Sequence, residues 1–224
     1  MGITIGPNME VTDSDWQNMT DELKNYALGK FWKDYTWHAS RMAVIAAEKF
    51  STITISDNEW IGMNRELEKY RLQENWEAFT ARFARMKLID PARAASIDLT
   101  DQHWDKIGTT LKKCAIQNNW VLYASHAHHM KIIDPERFQN IEINDKAWQG
   151  MIAKLAEYRD EDIRGKFTKH ASYLKKINPE RSKTDVRIVA HDWEEIAQEL
   201  QAKREKNYWA AFAAQASRIK TLME

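Results

Sequence analysis

The chain has 224 residues with 33 basic and 33 acidic side chains, so its formal charge is zero, and Gly and Pro together contribute only 11 positions. So few chain breakers exclude an all-β sandwich and any collagen-like or low-complexity chain. The charge balance excludes a generally basic nucleic-acid binder, and the single Cys excludes an intramolecular disulfide or a multi-Cys metal site.

An internal repeat organises the whole sequence. Trp16, Trp60, Trp104, Trp148 and Trp193 follow one another at intervals of 44, 44, 44 and 45 residues. The flanking columns agree. Val11, Ile55, Leu99, Ile143 and Ile188 stand five places before each Trp. Leu23, Leu67, Leu111, Leu155 and Leu200 stand seven after it. Sixteen after it are Trp32, Trp76, Trp120, Arg164 and Trp209. A period in this range is the signature of helical repeats that bury their apolar faces against one another. The expected fold is all-α: a single domain spanning 1–224, an α-solenoid of five helix-turn-helix units at about 9–52, 53–96, 97–140, 141–185 and 186–224.

Each unit opens with a helix. Thr12 to Asp15 and Ser56 to Glu59 match a capping box, and the preceding Ile and the Trp fall on the two positions of a hydrophobic staple. Apolar residues at 0, +3, +7 and +10 from the Trp then trace one helical face. A second stripe at +16, +19, +23 and +26 is out of phase with the first by about 200°. Polar stretches such as Gln117 to Asn119 separate the two, and Gly29 is a candidate cap. The prediction is two helices of about 15 residues per unit, with one long helix that switches faces as the alternative. The second helix ends at Asp90-Pro91, Asp134-Pro135 and Asn178-Pro179, which suit the start of a short helical turn. A short extended Ile-x-Ile linker follows, as at Ile141 to Ile143. The outer units look like end caps: unit one has Ala46-Ala47 for the Asp-Pro, and unit five has Val189-Ala190 at its cap and closes on its second helix.

Chemistry is sparse. No phosphate-binding glycine loop, nucleophile elbow or zinc-protease helix is present, which points to a non-catalytic protein without a cofactor. His126 and His129, one helical turn apart, are the candidate metal ligands, but no Cys or carboxylate recurs beside them, so no metal is expected. His38, His126 and His170 share the +22 column, which reads as a polar column beside the core. Basic residues collect on the second helices: Arg41, Arg85 and Arg218 at +25 with His129, and Lys87, Lys131, Lys175 and Lys220 at +27. The second helices carry a net +8 against −6 for the first. Trp37, outside both Trp columns, and Arg164, which interrupts the second, complete the candidate contact residues.

These features predict a protein-interaction scaffold or an architectural subunit of a larger, possibly homomeric assembly, with a protein partner or self-association and no membrane. The last helix is the candidate for meeting another chain. The alternative is binding of nucleic acid or another polyanion through the basic stripe of the second helices. No apolar run is long enough to span a bilayer and no signal peptide opens the chain, so a soluble cytoplasmic protein is expected.

Overall fold

The structure, a computed structural model, describes residues 2–224. It is an all-α repeat fold, with fourteen helices and one two-stranded hairpin among those residues. The first helices of the units are α1 (Asp13–Leu28), α4 (Asp57–Leu72), α7 (Asp101–Ile116), α10 (Asp145–Asp160) and α13 (Ala190–Glu205). The second helices are α2 (Trp32–Ile45), α5 (Trp76–Ile89), α8 (Trp120–Ile133), α11 (Arg164–Ile177) and α14 (Trp209–Met223). Two helices per unit, and not one long one, is therefore the arrangement.

The local sequence accounts for each boundary. The Thr12 hydroxyl accepts from the Asp15 amide at 3.1 Å while the Asp15 carboxylate accepts from the Thr12 amide at 2.8 Å. Ser56 and Glu59 form the same box. Val189 has no capping oxygen, yet the Asp192 carboxylate still accepts its amide at 2.9 Å.

Every turn between first and second helix is closed by a left-handed residue at the same place: Lys30, Glu74, Asn118, Asp162 and Asn207, with φ from 51° to 57°. The amide after each bonds back across six residues, as from Phe31 to the Tyr26 carbonyl and from Asn119 to that of Cys114, a Schellman closure. Gly29, the expected cap, is the C-cap of α1; it is right-handed, and the left-handed residue follows it at Lys30. Its role is steric, since a Cβ there would fall 2.4 Å from the Phe31 ring.

Short helices follow at α3 (Ala47–Phe50), α6 (Pro91–Ala94), α9 (Pro135–Gln139) and α12 (Pro179–Asp185). Asp90, Asp134 and Asn178 cap the last three through their side chains. Ala46 has no such oxygen but adopts nearly the same extended backbone (φ −156°, ψ 88°, against −145° and 90° at Asp90). The Ile-x-Ile linkers are without regular secondary structure except in unit one. There Met9–Val11 (β2) pairs antiparallel with Ile3–Gly6 (β1) around a turn at Pro7 and Asn8, Asn8 having φ 56°. No reading of the sequence anticipated this hairpin.

The chain divides into two compact units, residues 1–66 with 188–224, and residues 67–187. In the second, α5, α8 and α11 pack side by side, and each of α5 and α8 also meets the first helix of the next repeat, α7 and α10. In the first, α14 packs on α2 and on α1 in that same way, so the fifth repeat meets the first as consecutive repeats meet one another. The terminal repeats are thus partners and not free end caps. Arg204 fastens them: its guanidinium reaches the nearly buried Asp15 carboxylate at 2.8 and 3.0 Å and the Glu10 carbonyl at 2.8 Å. Where the other second helices are covered by a short helix, the end of α14 is covered by β1, with Gly6 packed so closely that a Cβ would come within 2.8 Å of Ile219.

The core runs through the second helices, none of whose residues in α8 is fully exposed. The second Trp column lies against the following repeat. Trp32 covers Gly62 and Trp120 covers Gly150, where an added Cβ would meet the indole at 2.3 Å. Trp76 instead lies beside His103 and beneath Lys106.

Candidate functional site

The histidine column is structural. Nε2 of His38, His126 and His170 lies 2.9, 3.0 and 2.9 Å from the carbonyls of Met19, Ile107 and Met151. Because the partner is a carbonyl, each Nε2 carries the proton and donates. The bond ties the second helix of a repeat to the first. Burial pushes all three imidazoles below the usual histidine range, His170 to about 4, so they are neutral at pH 7.

His126 and His129, the candidate ligands one helical turn apart, do not converge. His126 turns to α7 of its own repeat, while His129 and His128 lie against Tyr173 on α11 with ring centroids 6.1 and 4.8 Å away. A three-residue step covers about 300° of a helix, and in a helix packed on both sides that difference sends the two rings to different neighbours. Among the described residues no group of three His, Cys, Asp or Glu side chains is placed to hold a metal ion.

The basic stripe is not an open face. Arg41, Arg85, Lys87, Lys131, Lys175, Arg218 and Lys220 are all half-buried. The Lys87 ammonium donates to the Ile133 carbonyl and that of Lys131 to the Ile177 carbonyl at 3.0 Å. Each lysine thereby satisfies the last turn of the second helix of the next repeat, where the helix dipole is negative. The basic residues 33 places after the first Trp of each of the first four units, Lys49, Arg93, Arg137 and Arg181, include three with an equivalent use. Lys49, Arg137 and Arg181 lie over Trp16, Trp104 and Trp148 and pair with Asp13, Asp101 and Asp145. The regularity of these columns reflects the way repeats are joined.

The positions that break the pattern are also absorbed. Trp37 is half-buried beneath the Arg41 guanidinium, 5.1 Å from the ring centroid, and Arg41 also reaches the Ser217 hydroxyl at 3.4 Å. Arg164 begins α11 without a break and pairs with Asp162 of the turn at 2.8 Å. Cys114 is a buried free thiol whose pKa is raised by burial.

What the sequence reading passed over are exposed apolar residues at the turns. Leu28, Leu72 and Ile116 occupy the +12 position, the last residue of the first helix, and are 82%, 80% and 80% exposed. Phe31 and Tyr208, one residue past the left-handed turn residue, are 59% and 61% exposed. The signal was present, because +12 falls outside the 0, +3, +7, +10 stripe and an apolar residue there has no core to face.

No family model, characterised protein or solved structure matches this chain. Among the described residues no helix is long and apolar enough to cross a membrane.

Proposed function

We propose that the protein is a non-catalytic interaction module, a scaffold or architectural subunit whose contact residues are the exposed apolar side chains at the turns between first and second helices. The observation that carries this reading is the exposure of Leu28, Leu72 and Ile116 at one repeat position. The fold does not require an apolar residue there, since Asp160 and Glu205 fill the same position in repeats four and five. The hydrophobic contact of a Schellman turn involves the residues on either side of it and leaves the last helical residue free. Phe31 and Tyr208 stand where a Schellman turn makes its apolar contact, yet they remain 59% and 61% exposed at a position from which Asn75 and Asn119 cap the second helix with their side chains. An exposed ring in place of a cap sacrifices about 1 kcal/mol of helix stability. Aromatic side chains such as Phe31 and Tyr208 are enriched at protein interfaces relative to the rest of the surface.

The test is solution mass by light scattering over a concentration series, with the triple variant Leu28→Ser, Leu72→Ser, Ile116→Ser compared with the wild type. A self-assembling subunit forms an oligomer that the triple variant lowers to monomer. A scaffold for another protein is monomeric and loses that protein when the three residues are changed. Unchanged self-association and unchanged partner retention in the triple variant would refute the reading. The polyanion alternative is disfavoured because Lys87 and Lys131, the centre of its stripe, are engaged by helix-end carbonyls.

A further inference from the structure

Repeat three lacks an ion pair at the place where repeat five has one. In repeat five, Arg204, eleven residues after the first Trp, lies over the Phe212 ring, 5.3 Å from its centroid. It pairs with the Asp15 carboxylate and donates to the Glu10 carbonyl, which stand one and six residues before the Trp of the repeat it meets. Arg159 of repeat four lies in the same way over Phe167, 4.8 Å from its centroid, and donates to the Arg187 carbonyl, again six residues before the next Trp. In repeat three the arginine is replaced by Ala115 and the acid by Ala147, while Glu142 keeps the place of the carbonyl.

The vacated space stays open. A cavity of about 400 Å³ runs along α7, walled by Gly108, Leu111, Ala115, Tyr123, Ile141 and Glu142. Its volume falls in the range of small-molecule sites, about 300 to 1,000 Å³. Asp105 and Lys112, both exposed, also line it. Tyr123 is only 4% exposed, yet its hydroxyl has no hydrogen-bond partner. The core does not require that hydroxyl, because Phe79, Phe167 and Phe212 fill the same position in their repeats. In repeat one, where Ala27 also replaces the arginine, the equivalent Tyr35 hydroxyl lies against the Glu59 carboxylate, one residue before the next Trp. Tyr123 has Ala147 in that place. A buried donor of this kind is costly until an acceptor reaches it.

We propose that this cavity binds a free α-amino acid with an apolar side chain. The ligand carboxylate accepts from the Tyr123 hydroxyl, in place of the missing acid, with Lys112 as its counter-charge. The ligand ammonium donates to the Glu142 carbonyl, in place of the missing guanidinium, and the carboxylates of Glu142 and Asp105 supply the negative charge. The apolar side chain lies on Leu111 and Ile141, in the room that Gly108 leaves where repeat four has Ile152. A wall with one ammonium and two carboxylates suits a zwitterion better than an acid or an amine alone. A peptide N-terminus lacks the adjacent carboxylate and a peptide C-terminus lacks the ammonium, so the same pair of charges that admits an amino acid rejects a chain end.

The experiment follows the backbone amides of Gly108 and Glu142 by NMR while leucine, methionine and phenylalanine are each added to the full chain near neutral pH. The amide and the deaminated acid of whichever binds are then compared, leucinamide and 4-methylpentanoate in the case of leucine. The expected result is a saturable shift with at least one of the three amino acids, and binding about tenfold weaker or worse for both analogues, the cost of a missing charge-assisted hydrogen bond. Tyr123→Phe should weaken binding about tenfold, and three sister repeats show that Phe is compatible with the fold. Ala115→Arg restores the residue of repeats two, four and five, so it should abolish binding without lowering the temperature of thermal unfolding. No saturable shift at millimolar amino acid, equal binding of either analogue, or undiminished binding in folded Tyr123→Phe or Ala115→Arg would each overturn the proposal.

Discussion

Replacing His170 by Gln isolates one term in the stability of the protein and makes it measurable. The imidazole is held neutral by burial and, to a smaller degree, by Lys154 and Lys169, and its pKa falls from 6.5 to about 4. Between those values the unfolded chain binds a proton that the folded chain does not, so the contribution is intact above pH 6.5 and is lost as pH falls toward 4. At 1.36 kcal/mol per pKa unit the full loss is about 3 kcal/mol, of which about 2 to 3 has been lost by about pH 4.5. Gln is the right replacement because Gln215 fills the same column in repeat five at 0% exposure, and its amide can donate to the Met151 carbonyl without titrating. Urea unfolding followed by circular dichroism at about pH 7.5 and about pH 4.5 gives the comparison. The carboxylates common to both proteins cancel, and the wild type should lose about 2 to 3 kcal/mol more than His170→Gln between the two conditions. Equal losses would show that the imidazole is protonated in the folded state at acidic pH, and the account of a desolvated, neutral histidine would fail.

Three further substitutions test how the repeats are joined. Gly108→Ala should stabilise by roughly 1 kcal/mol in thermal unfolding, because the new Cβ meets nothing within 4 Å and a helix-interior glycine is removed, whereas Gly150→Ala should destabilise by about 1 to 3 kcal/mol by driving a methyl into the Trp120 indole. Arg204→Met should cost about 2 to 3 kcal/mol in denaturant unfolding, since Asp15, its side chain only 4% exposed, is left without its guanidinium, and Asp15→Asn in the same chain should recover part of the loss. Phe31→Asn should raise stability by about 1 kcal/mol by capping α2 as Asn75 caps α5, while weakening whatever the exposed apolar side chain at this turn binds; a destabilised Phe31→Asn would show that the ring is needed for folding.

Much of the fold was legible because repetition multiplies a weak signal. One capping box is ambiguous, but Ser56 and Glu59 at the start of a column of Trp residues fix a helix start and the phase of the next. The two-helix reading followed from the phase jump between stripes, and the structure places the turn there. Two features were not legible, for different reasons. The left-handed residue of each turn is Lys, Glu, Asn, Asp or Asn, with no glycine to announce it, because the Schellman hydrogen bonds compensate a strain of about 1 to 2 kcal/mol. The packing of α14 on α2 and of β1 on α14 joins residues from opposite ends of the chain, and a periodic pattern contains no term for such distant partners.

The basic columns show most clearly why function was harder to read than fold. Their spacing suggested a surface made for a polyanion, yet Lys87 and Lys131 satisfy helix-end carbonyls and Arg137 and Arg181 stack on Trp104 and Trp148. A column that every repeat fills is what the joints between repeats demand, so its regularity is evidence of architecture. Function must be sought where a residue departs from what its position asks for. Phe31 sits at a helix cap that Asn would serve better, and Leu28 ends its helix in solvent. Each of these choices costs the fold stability or solubility that a polar residue there would give, and a bound partner is the physical gain that would offset the cost.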